Sequence, residues 1–401
     1  MTPETAPNIA IACGGTGGHL FPGLAVAEQL LRRGARVTLL ISPKEVDQQA
    51  VKNLTGMEIV TLPAVGLSSG KKIAFLRGFI RSYRASRQLF KTNRPHAALA
   101  MGGFTSAPPI LAAKQLGART FLHESNTIPG RANRWLSRLI HQAFIGFPQA
   151  AERLHTRSIT VTGTPVRPDF QPADAAACRT ALGLDPQRPV LLVVGGSQGA
   201  TGVNNAVINA LPQFPAGLQF LHFTGPQDEE RVRRAYAERS LPAVVHAFFH
   251  QMPLALGAAT LAISRAGASS LAEMAAMRVP SVLIPFPAAT DDHQYYNARA
   301  FEETGAAHLV SAKGLPPEAA QEITLQTLKE FVVRLVENQS VREQMQAALA
   351  RWHAPKAAEA IAENMLQAVV RELGCPVNGA GGSAAATKAN QSARLVCETT
   401  A

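Results

Sequence analysis

Two short apolar segments, each followed by a glycine-rich turn and then a helix, constrain the fold of this chain most. Residues 8–13 form the first segment, and the turn after it reads Gly-Gly-Thr-Gly-Gly-His over residues 14–19. Residues 190–194 form the second, followed by Gly-Gly-Ser-Gln-Gly-Ala over residues 195–200. Doubly wound α/β domains begin with a buried strand that ends in a tight turn at a helix N-terminus. Because 401 residues exceed one ordinary core, the sequence predicts two such domains.

Positive charge is concentrated in the first half of the chain. Residues 1–167 hold 21 Lys and Arg against 7 Asp and Glu, whereas the whole chain carries a net charge of +11. This surplus predicts an anionic partner, which is nucleic acid, a phospholipid surface or a phosphorylated substrate. Nucleic acid is the least favoured of these, because no strand interleaves the aromatic side chains on which bases stack.

Other features of the composition indicate a globular cytosolic protein. The chain is 46% apolar and 17% charged, and its four cysteines lack the spacing of metal ligands. Without a secretory signal we expect these cysteines to be reduced thiols. No apolar run approaches the length of a membrane span.

The first glycine-rich turn is predicted to hold a phosphate or a sugar. A nicotinamide dinucleotide is disfavoured, because the glycine spacing is not Gly-x-Gly-x-x-Gly. In addition, the second predicted strand (36–41) is followed by Ser42 and not by an Asp or Glu that could bind a ribose. The alternative is a turn that uses glycine for backbone reasons alone. His19 closes the turn, where the helix dipole is expected to keep it neutral and able to accept a proton. A histidine with no catalytic role is the other interpretation.

Residues 71–91 predict a helix that interleaves bulky apolar and basic residues and has no acidic residue. Ile73, Leu76, Ile80 and Tyr83 recur at spacings of three and four, which makes one face apolar and leaves Arg and Lys on the others. A core helix with a solvated basic face is one interpretation. The large apolar content and the lack of acids favour a helix on an anionic membrane surface.

Further loops follow predicted strands, at the sheet edge where open α/β folds bind ligands. These loops lie at residues 102–108, at 123–126 after a strand over 120–122, and at 162–167. The Pro- and Ala-rich residues 169–189 are predicted to connect the two domains.

A second candidate phosphate site lies at residues 264–273. A buried strand runs into the small residues Ser-Arg-Ala-Gly-Ala-Ser-Ser, which let phosphates approach the free N–H groups of the helix that follows. Glu273 can accept hydrogen bonds from a ribose diol on one carboxylate. Ser270 and Glu273 also fit a capping box, which needs no ligand. The pair Asp291 and Asp292 forms no Asp-x-Asp metal motif, and its alternative interpretation is a helix N-cap.

Together these motifs resemble the bacterial enzyme family that transfers N-acetylglucosamine from UDP-N-acetylglucosamine to lipid I, making lipid II in peptidoglycan synthesis. The matching segments follow the family's order and comprise residues 14–19, 102–108, 123–126, 162–167, 195–200, 264–273 and 291–297. The resemblance implies an α/β chain of the GT-B fold, with two Rossmann-like, doubly wound domains facing a cleft. Thr164 departs from the family's hinge motif, where Asn is frequent.

The resemblance also implies the domain boundaries. Residues 1–167 are expected to form the acceptor- and membrane-facing domain, and 168–353 the domain that binds the UDP-sugar. A helix over 354–373 is expected to return to the N-terminal domain. Residues 374–401 lack periodicity, have no counterpart in the family, and are predicted to be disordered.

Candidate site residues can be assigned position by position from the same resemblance. Near the reaction centre it implies Thr16, Gly17, Gly18 and His19. For contacts to the donor it implies Asn126, Arg167, Ser197, the backbone at Phe249, which holds uracil, and Gln294, which contacts sugar hydroxyls. For the diphosphate it implies Ala268, Ser269, Ser270, Leu271 and Ala272, with Glu273 as the ribose ligand.

The implied reaction is an inverting transfer to the C4 hydroxyl of the N-acetylmuramoyl unit, with His19 as general base and with no metal or cofactor. The implied partners are UDP-N-acetylglucosamine, undecaprenyl-diphosphate-linked lipid I and an anionic membrane surface on the cytoplasmic face of the cell membrane; no nucleic acid is expected. The alternatives are another GT-B UDP-sugar transferase, a UDP-N-acetylglucosamine 2-epimerase, or a non-catalytic protein that binds nucleotides or nucleic acid.

Overall fold

The N-terminal part of the chain is built on a parallel sheet. The computed structural model describes residues 6–15, 17–52, 54–63, 72–196, 198–310 and 312–372. Within them the first sheet has seven strands: β1 (Asn8–Ala12), β2 (Arg36–Ile41), β3 (Glu58–Thr61), β4 (Ala97–Ala100), β5 (Arg119–Glu124), β6 (Gln142–Ile145) and β7 (Ile159–Val161). Their order, β3-β2-β1-β4-β5-β6-β7, is that of a doubly wound fold.

Helices cover both faces of this sheet. They are α1 (Gly17–Arg32), α2 (Glu45–Val51), α3 (Lys72–Thr92), α4 (Ala107–Gln115) and α5 (Arg131–Leu136), with a 3-10 helix at Pro148–Arg153. One core layer lies between the sheet and α1, and the other lies under α3 and α4. Because both faces are covered, the central strands β1 and β4 are buried at every residue and show no alternation.

A second parallel sheet forms the core of the C-terminal part. Its described strands are β8 (Val190–Val194), β9 (Gln219–Phe223), β10 (Ala243–His246), β11 (Leu261–Ser264), β12 (Ser281–Leu283) and β13 (His308–Leu309), in the order β10-β9-β8-β11-β12-β13. The accompanying helices are α6 (Ala175–Ala181), α7 (Thr201–Ala210), α8 (Glu229–Ala237), α9 (Met252–Ala258), α10 (Ala268–Met277), α11 (His293–Glu303), α12 (Pro317–Glu337) and α13 (Gln339–Trp352), with 3-10 helices at Leu211–Gln213 and Thr290–Asp292.

The last described helix, α14 (Ala357–Glu372), crosses back and packs on α1. Ile361 and Met365 are fully buried there in the core of the first sheet. Arg33 at the end of α1 donates to Glu359 over 2.8 Å and to Glu363 over 3.2 Å. The last described helix therefore packs on the domain in which the chain begins, although the boundaries at 167, 353 and 373 stay predictions.

An aromatic cluster packs between the N-terminal and C-terminal domains, next to the segment that leads into α14. Phe147, which follows β6, lies 5.2 Å from Trp352 and 6.1 Å from Phe301 between ring centroids. Phe301 and Trp352 stack at 4.5 Å. This packing supplies apolar burial at the domain junction.

Several predicted elements differ from those of the structure. Residues 169–189 are not only a connection, because α6 lies within them; its Ala-rich segment favours a helix, and Asp174 caps it by accepting from the Ala176 N–H over 3.0 Å. The strand predicted at 120–122 extends to Glu124, so His123 belongs to a strand and not to a loop. Helix α13 was not predicted.

Among the described residues, no helix combines the length and apolar content needed to cross a bilayer. The predicted tail 374–401 lies outside the described residues.

Candidate active site

His19 is held against the second glycine turn of the N-terminal domain. It is the third residue of α1, and its ring packs on the backbone of Gly102 and Gly103. A Cβ atom on Gly102 would lie 2.9 Å from Cε1 of His19, and one on Gly103 would lie 3.1 Å from Cδ2. Both glycines also have positive φ, +104° and +77°. Glycine is required at these positions both for the backbone conformation and for the space that the imidazole occupies.

Burial keeps the imidazole neutral. It lowers the pKa of His19, whereas Glu124, the backbone of Met101 and Asp47 oppose it, and His293 across the cleft lowers it further. Nδ1 is enclosed and has no hydrogen-bond partner among the described residues. The predicted direction agrees with the structure, but its main cause is burial and not the helix dipole alone.

Asp47, in α2, supports the first glycine turn and was missed by the sequence reasoning. Its Oδ2 accepts from the Gly15 N–H over 2.6 Å and from the Ser42 hydroxyl over 2.5 Å. Lys44 donates to the Gly15 carbonyl over 2.7 Å. The available signal was an acid six residues after the second strand, outside the strand end where a ribose ligand is expected. Thr16 itself lies outside the described residues.

Helix α10 begins one turn earlier than a capping box would require. Its N-cap is Gly267, so that Ser270 is the third helical residue and Glu273 the sixth. A capping box needs its acid at the third helical position, and this geometry therefore excludes that interpretation for Ser270 and Glu273. The first turn, which includes Ala268, Ser269 and Ser270, leaves its N–H groups without partners within the helix. Leu271 is buried in the core behind them, and Ala272 is half-buried.

Glu273 is a carboxyl group with perturbed ionisation. Its pKa is raised to about 7, mainly by burial; Arg167 opposes the rise and Asp169 adds to it. The Arg167 guanidinium lies over the rings of Phe21, at 5.1 Å, and Phe170, at 5.2 Å, and its Nε is 3.8 Å from Asp169 Oδ1. The structure therefore places Arg167 and Glu273 within electrostatic reach of each other, with an α1 side chain against the arginine.

One hydrogen bond joins the start of α1 to the start of α10 across the cleft. The Ser269 hydroxyl donates to the Gly18 carbonyl over 3.0 Å. Gly17 and Gly18 open α1, two residues and one residue before His19, while Ser269 lies in the first turn of α10. The histidine of one domain and the candidate phosphate site of the other are thus brought to opposite walls of one narrow cleft.

Asn126 is oriented by hydrogen bonds and not by packing. Its Nδ2 donates to Glu124 over 3.0 Å, and its Oδ1 accepts from Asn297 over 3.0 Å. Buried Glu124 also accepts from Gly130 N–H and from Asn133 Nδ2, so that it organises the whole turn after β5. Gln294 is held through its Oε1, which accepts from the Phe286 N–H over 2.9 Å.

Phe249 is part of an aromatic stack at the ends of β9 and β10. Its ring lies 4.9 Å from Phe223 and 5.6 Å from His246, nearly parallel to both. This stack anchors the ring and leaves the backbone of the loop to offer polar groups. Ser197, the other predicted donor contact of this region, lies outside the described residues.

The alternative interpretation of Asp291 and Asp292, a helix N-cap, holds for the position of Asp292 but not for a capping hydrogen bond. Asp292 stands at the N-cap of α11 in a left-handed conformation, and its side chain makes no capping hydrogen bond. Both carboxylates are in ion pairs instead: Asp291 with Arg134 across the domain boundary, and Asp292 with Lys313 at 2.8 Å. In the described part of the chain, no group of His, Cys, Asp and Glu side chains is arranged to hold a metal ion.

Comparison with known proteins identifies the family. Residues 9–145 match the Glycosyltransferase family 28 N-terminal domain, and residues 190–361 match the Glycosyltransferase family 28 C-terminal domain. A UDP-N-acetylglucosamine–N-acetylmuramyl-(pentapeptide) pyrophosphoryl-undecaprenol N-acetylglucosamine transferase of Chlorobium luteolum is 36% identical over 371 residues, which are 90% of this chain and 98% of the relative. The chain belongs to that transferase family. The transferase of the same name from Synechococcus elongatus is 37% identical over 91% of this chain and 99% of the relative.

Solved structures of this transferase family and of other enzymes share the fold. The MurG structure from Acinetobacter baumannii aligns with a TM-score of 0.68 at 26% identity, covering 90% of this chain and 99% of that one. A putative UDP-N-acetylglucosamine 2-epimerase from Listeria monocytogenes aligns with a TM-score of 0.62 at 15% identity, covering 92% and 97%, a likeness of fold alone. The predicted GT-B fold is therefore confirmed. The chain is a glycosyltransferase of peptidoglycan synthesis, and family membership favours transfer over the epimerase alternative.

Proposed function

We propose that this enzyme transfers N-acetylglucosamine from UDP-N-acetylglucosamine to the C4 hydroxyl of the N-acetylmuramoyl unit of lipid I, forming lipid II. The observation that carries the proposal is the Ser269–Gly18 hydrogen bond of 3.0 Å, which apposes a phosphate-binding helix start to the turn that holds His19. The names of the relatives supply the donor and acceptor.

The donor is bound mainly by the C-terminal domain. Its diphosphate lies at the start of α10, where the N–H groups of residues 268–270 and the helix dipole meet negative charge. Glu273 accepts hydrogen bonds from the ribose hydroxyls, the backbone at Phe249 holds uracil, and Gln294 contacts the hydroxyls of the sugar. Asn126 and Arg167 complete the donor site from the N-terminal domain and the hinge.

The reaction is a single displacement that inverts C1 of the sugar. The acceptor oxygen forms a bond to C1 while the bond from C1 to the β-phosphate oxygen breaks, and its electron pair goes to UDP. His19 takes the proton of the attacking hydroxyl. Developing charge on the diphosphate is stabilised by the α10 N-terminus and by Arg167.

The reaction needs no divalent cation in this proposal. Asp291 and Asp292, the carboxylates nearest the sugar-contact loop, already form ion pairs with Arg134 and Lys313. Transfer should therefore persist in excess chelator. Activity that vanishes with the chelator and returns with Mn²⁺ would contradict this part.

The test is a transfer assay with UDP-N-acetylglucosamine and a lipid I analogue. His19→Ala should lower kcat by roughly 10²–10⁴-fold. At saturating donor, where the titration of Glu273 no longer affects occupancy, the wild-type kcat should fall on the acid side only below pH 6.5, because burial lowers the pKa of His19 from that value. An acid limb above pH 6.5, or a loss of less than tenfold in His19→Ala, would remove His19 from the role of base.

The enzyme works as a peripheral protein on the cytoplasmic face of the membrane, with α3 as its contact. Ile73, Leu76 and Ile80 project from α3 with 70%, 58% and 41% of their surface exposed. Basic residues surround them on a helix with no acid. Exposed apolar side chains beside basic ones fit the boundary between lipid head groups and acyl chains. This position brings the cleft to a lipid-anchored acceptor.

A further inference from the structure

A buried asparagine at the domain boundary has every polar group of its side chain engaged. Asn297, in α11, is 0% exposed. Its Oδ1 accepts from both the N–H and the hydroxyl of Thr127, each at 2.9 Å. Its Nδ2 donates to Asn126 Oδ1 over 3.0 Å and to the Ala266 carbonyl over 3.1 Å.

Because all of its hydrogen-bonding groups are engaged, the side chain of Asn297 can act only through its present partners. A side-chain amide has two N–H donors and two acceptor sites on its oxygen, and all four are used here. Asn297 therefore has no group left for a substrate. Any effect on catalysis must pass through the residues that it holds.

The partners of Asn297 belong to both halves of the donor site. Asn126 and Thr127 follow β5 in the N-terminal domain, whereas Ala266 precedes Gly267, the N-cap of α10. The bond to Ala266 lies within the C-terminal domain and fixes the amide plane. The three bonds to Asn126 and Thr127 cross the boundary and exist only while the domains are apposed as here.

Asn126 has two anchors, and only one of them lies in its own domain. Glu124 accepts from its Nδ2, which leaves Asn297 as the group that holds its carbonyl oxygen. Buried hydrogen bonds of this kind define one side-chain orientation, since a broken partner leaves an unsatisfied polar group.

We propose that Asn297 is a positioning residue that couples domain apposition to donor binding, by orienting Asn126 and the start of α10 in one step. This inference rests on the proposed donor site. It assigns Asn297 no contact with the sugar nucleotide.

The test compares Asn297→Asp with a matched control, Asn8→Asp. The first variant turns a carboxylate oxygen toward Asn126 Oδ1 and the Ala266 carbonyl. Asn8 is also buried and donates to the carbonyls of Asn93 and Arg94, but at the N-terminal end of β1, on the opposite sheet edge. Asn297→Asp should weaken UDP-N-acetylglucosamine binding at least tenfold, measured by calorimetry, and Asn8→Asp less than twofold. Equal effects of the two variants would overturn the proposal.

A double-mutant cycle separates positioning from general destabilisation. If Asn297 acts through Asn126, the double variant Asn126→Ala, Asn297→Ala should bind the donor less than threefold worse than the weaker-binding single variant. Losses that multiply would overturn the coupling. Glu273→Ala serves as the probe of the donor site itself. If it leaves binding unchanged, the donor site proposed at Glu273 fails; if it weakens binding while Asn297→Asp does not, only this inference fails.

Discussion

The imidazole of His19 depends on two residues that have no side chain. Gly102 and Gly103 let the ring lie directly on the backbone, and their positive φ turns the chain away from it. The imidazole proposed as the base is thus positioned by the absence of Cβ atoms, and the same close packing keeps it neutral.

Gly102→Ala should therefore lower kcat while leaving the affinity for UDP-N-acetylglucosamine nearly unchanged. A Cβ 2.9 Å from Cε1 must displace the ring. A shift of about 1 Å in a catalytic group costs roughly 10²-fold in rate. Steady-state kinetics and donor calorimetry on the same preparation measure both quantities.

Gly56→Ala is the control, because Gly56 has a φ of +81° but nothing within 4 Å of the added Cβ. It carries the backbone strain without the displaced histidine. An equal loss of kcat in the two alanine variants would show that backbone strain, and not the position of His19, lowers the kcat of Gly102→Ala.

If Glu273 binds the ribose as proposed, its burial lowers the stability of the ligand-free enzyme at high pH in exchange for donor binding. Burial raises its pKa from 4.5 to about 7, so the folded state holds this proton more tightly than the unfolded state does. The favourable term is complete below pH 4.5 and is lost as the pH rises through 7. Glu273→Gln should then raise the unfolding temperature of the ligand-free enzyme at pH 8, by roughly 2–4 °C per kcal/mol recovered, and change it little at pH 5.

The same substitution should weaken donor binding at pH 8 by roughly 10–100-fold, because a charged acceptor is lost. Wild-type affinity should increase as the pH rises from 6 to 8, whereas that of Glu273→Gln should stay flat. Thermal unfolding and calorimetry measure the two effects. A stabilised variant with unchanged affinity would return Glu273 to a purely structural role.

At the scale of elements, α3 presents two faces of different character. Phe79, Tyr83 and Phe90 pack toward the sheet, whereas Ile73, Leu76 and Ile80 face outward. The predicted apolar stripe is thus divided, with Tyr83 on the packed side and the three aliphatic residues in solvent.

Replacing Ile73, Leu76 and Ile80 by Ser should reduce binding to vesicles that contain anionic lipid by at least tenfold. Each aliphatic side chain contributes about 1 kcal/mol or more when it enters the acyl region. Sedimentation with vesicles measures the loss, and transfer to a water-soluble acceptor analogue should remain.

The control is the double change Leu315→Ser, Ile323→Ser, at two aliphatic residues of the C-terminal domain that are each 40% exposed. It removes a similar kind of apolar surface away from α3. Equal loss of vesicle binding in the control would assign membrane contact to general hydrophobicity and not to this helix.

At the scale of the whole molecule, the chain crosses between its domains twice. The aromatic cluster of Phe147, Phe301 and Trp352 and the return of α14 onto α1 both lie at this junction. The N-terminal core is therefore completed by residues from the end of the fold.

Met365→Ala, in α14, should cost roughly 2–5 kcal/mol and should act on the N-terminal sheet. Met365 is fully buried in the core shared with α1. Amide hydrogen exchange should rise in β1 and β4 and stay unchanged in β8 and β11. Met345→Ala, in the C-terminal core, is the matched substitution and should give the reverse pattern.

The sequence by itself determined the features that lie close together along the chain. Strand β2 and strand β8 have the predicted bounds, and each of the two glycine-rich turns is followed by a helix, although α1 already begins at Gly17 and not at the predicted Pro22. These are contiguous patterns of apolar residues and glycine, and local backbone geometry is sufficient to determine the structure that they form. The family motifs predicted the fold and the class of enzyme, because each motif is also a short contiguous segment.

Only the tertiary structure decided what depends on distant partners. Asp47 reaches Gly15 across 32 positions, and Thr127 meets Asn297 across 170. The position at which α10 begins excluded the capping interpretation of Glu273. The packing of the other face of α3 left Ile73 exposed. Burial and hydrogen-bond partners arise when remote segments meet, so local spacing records neither of them.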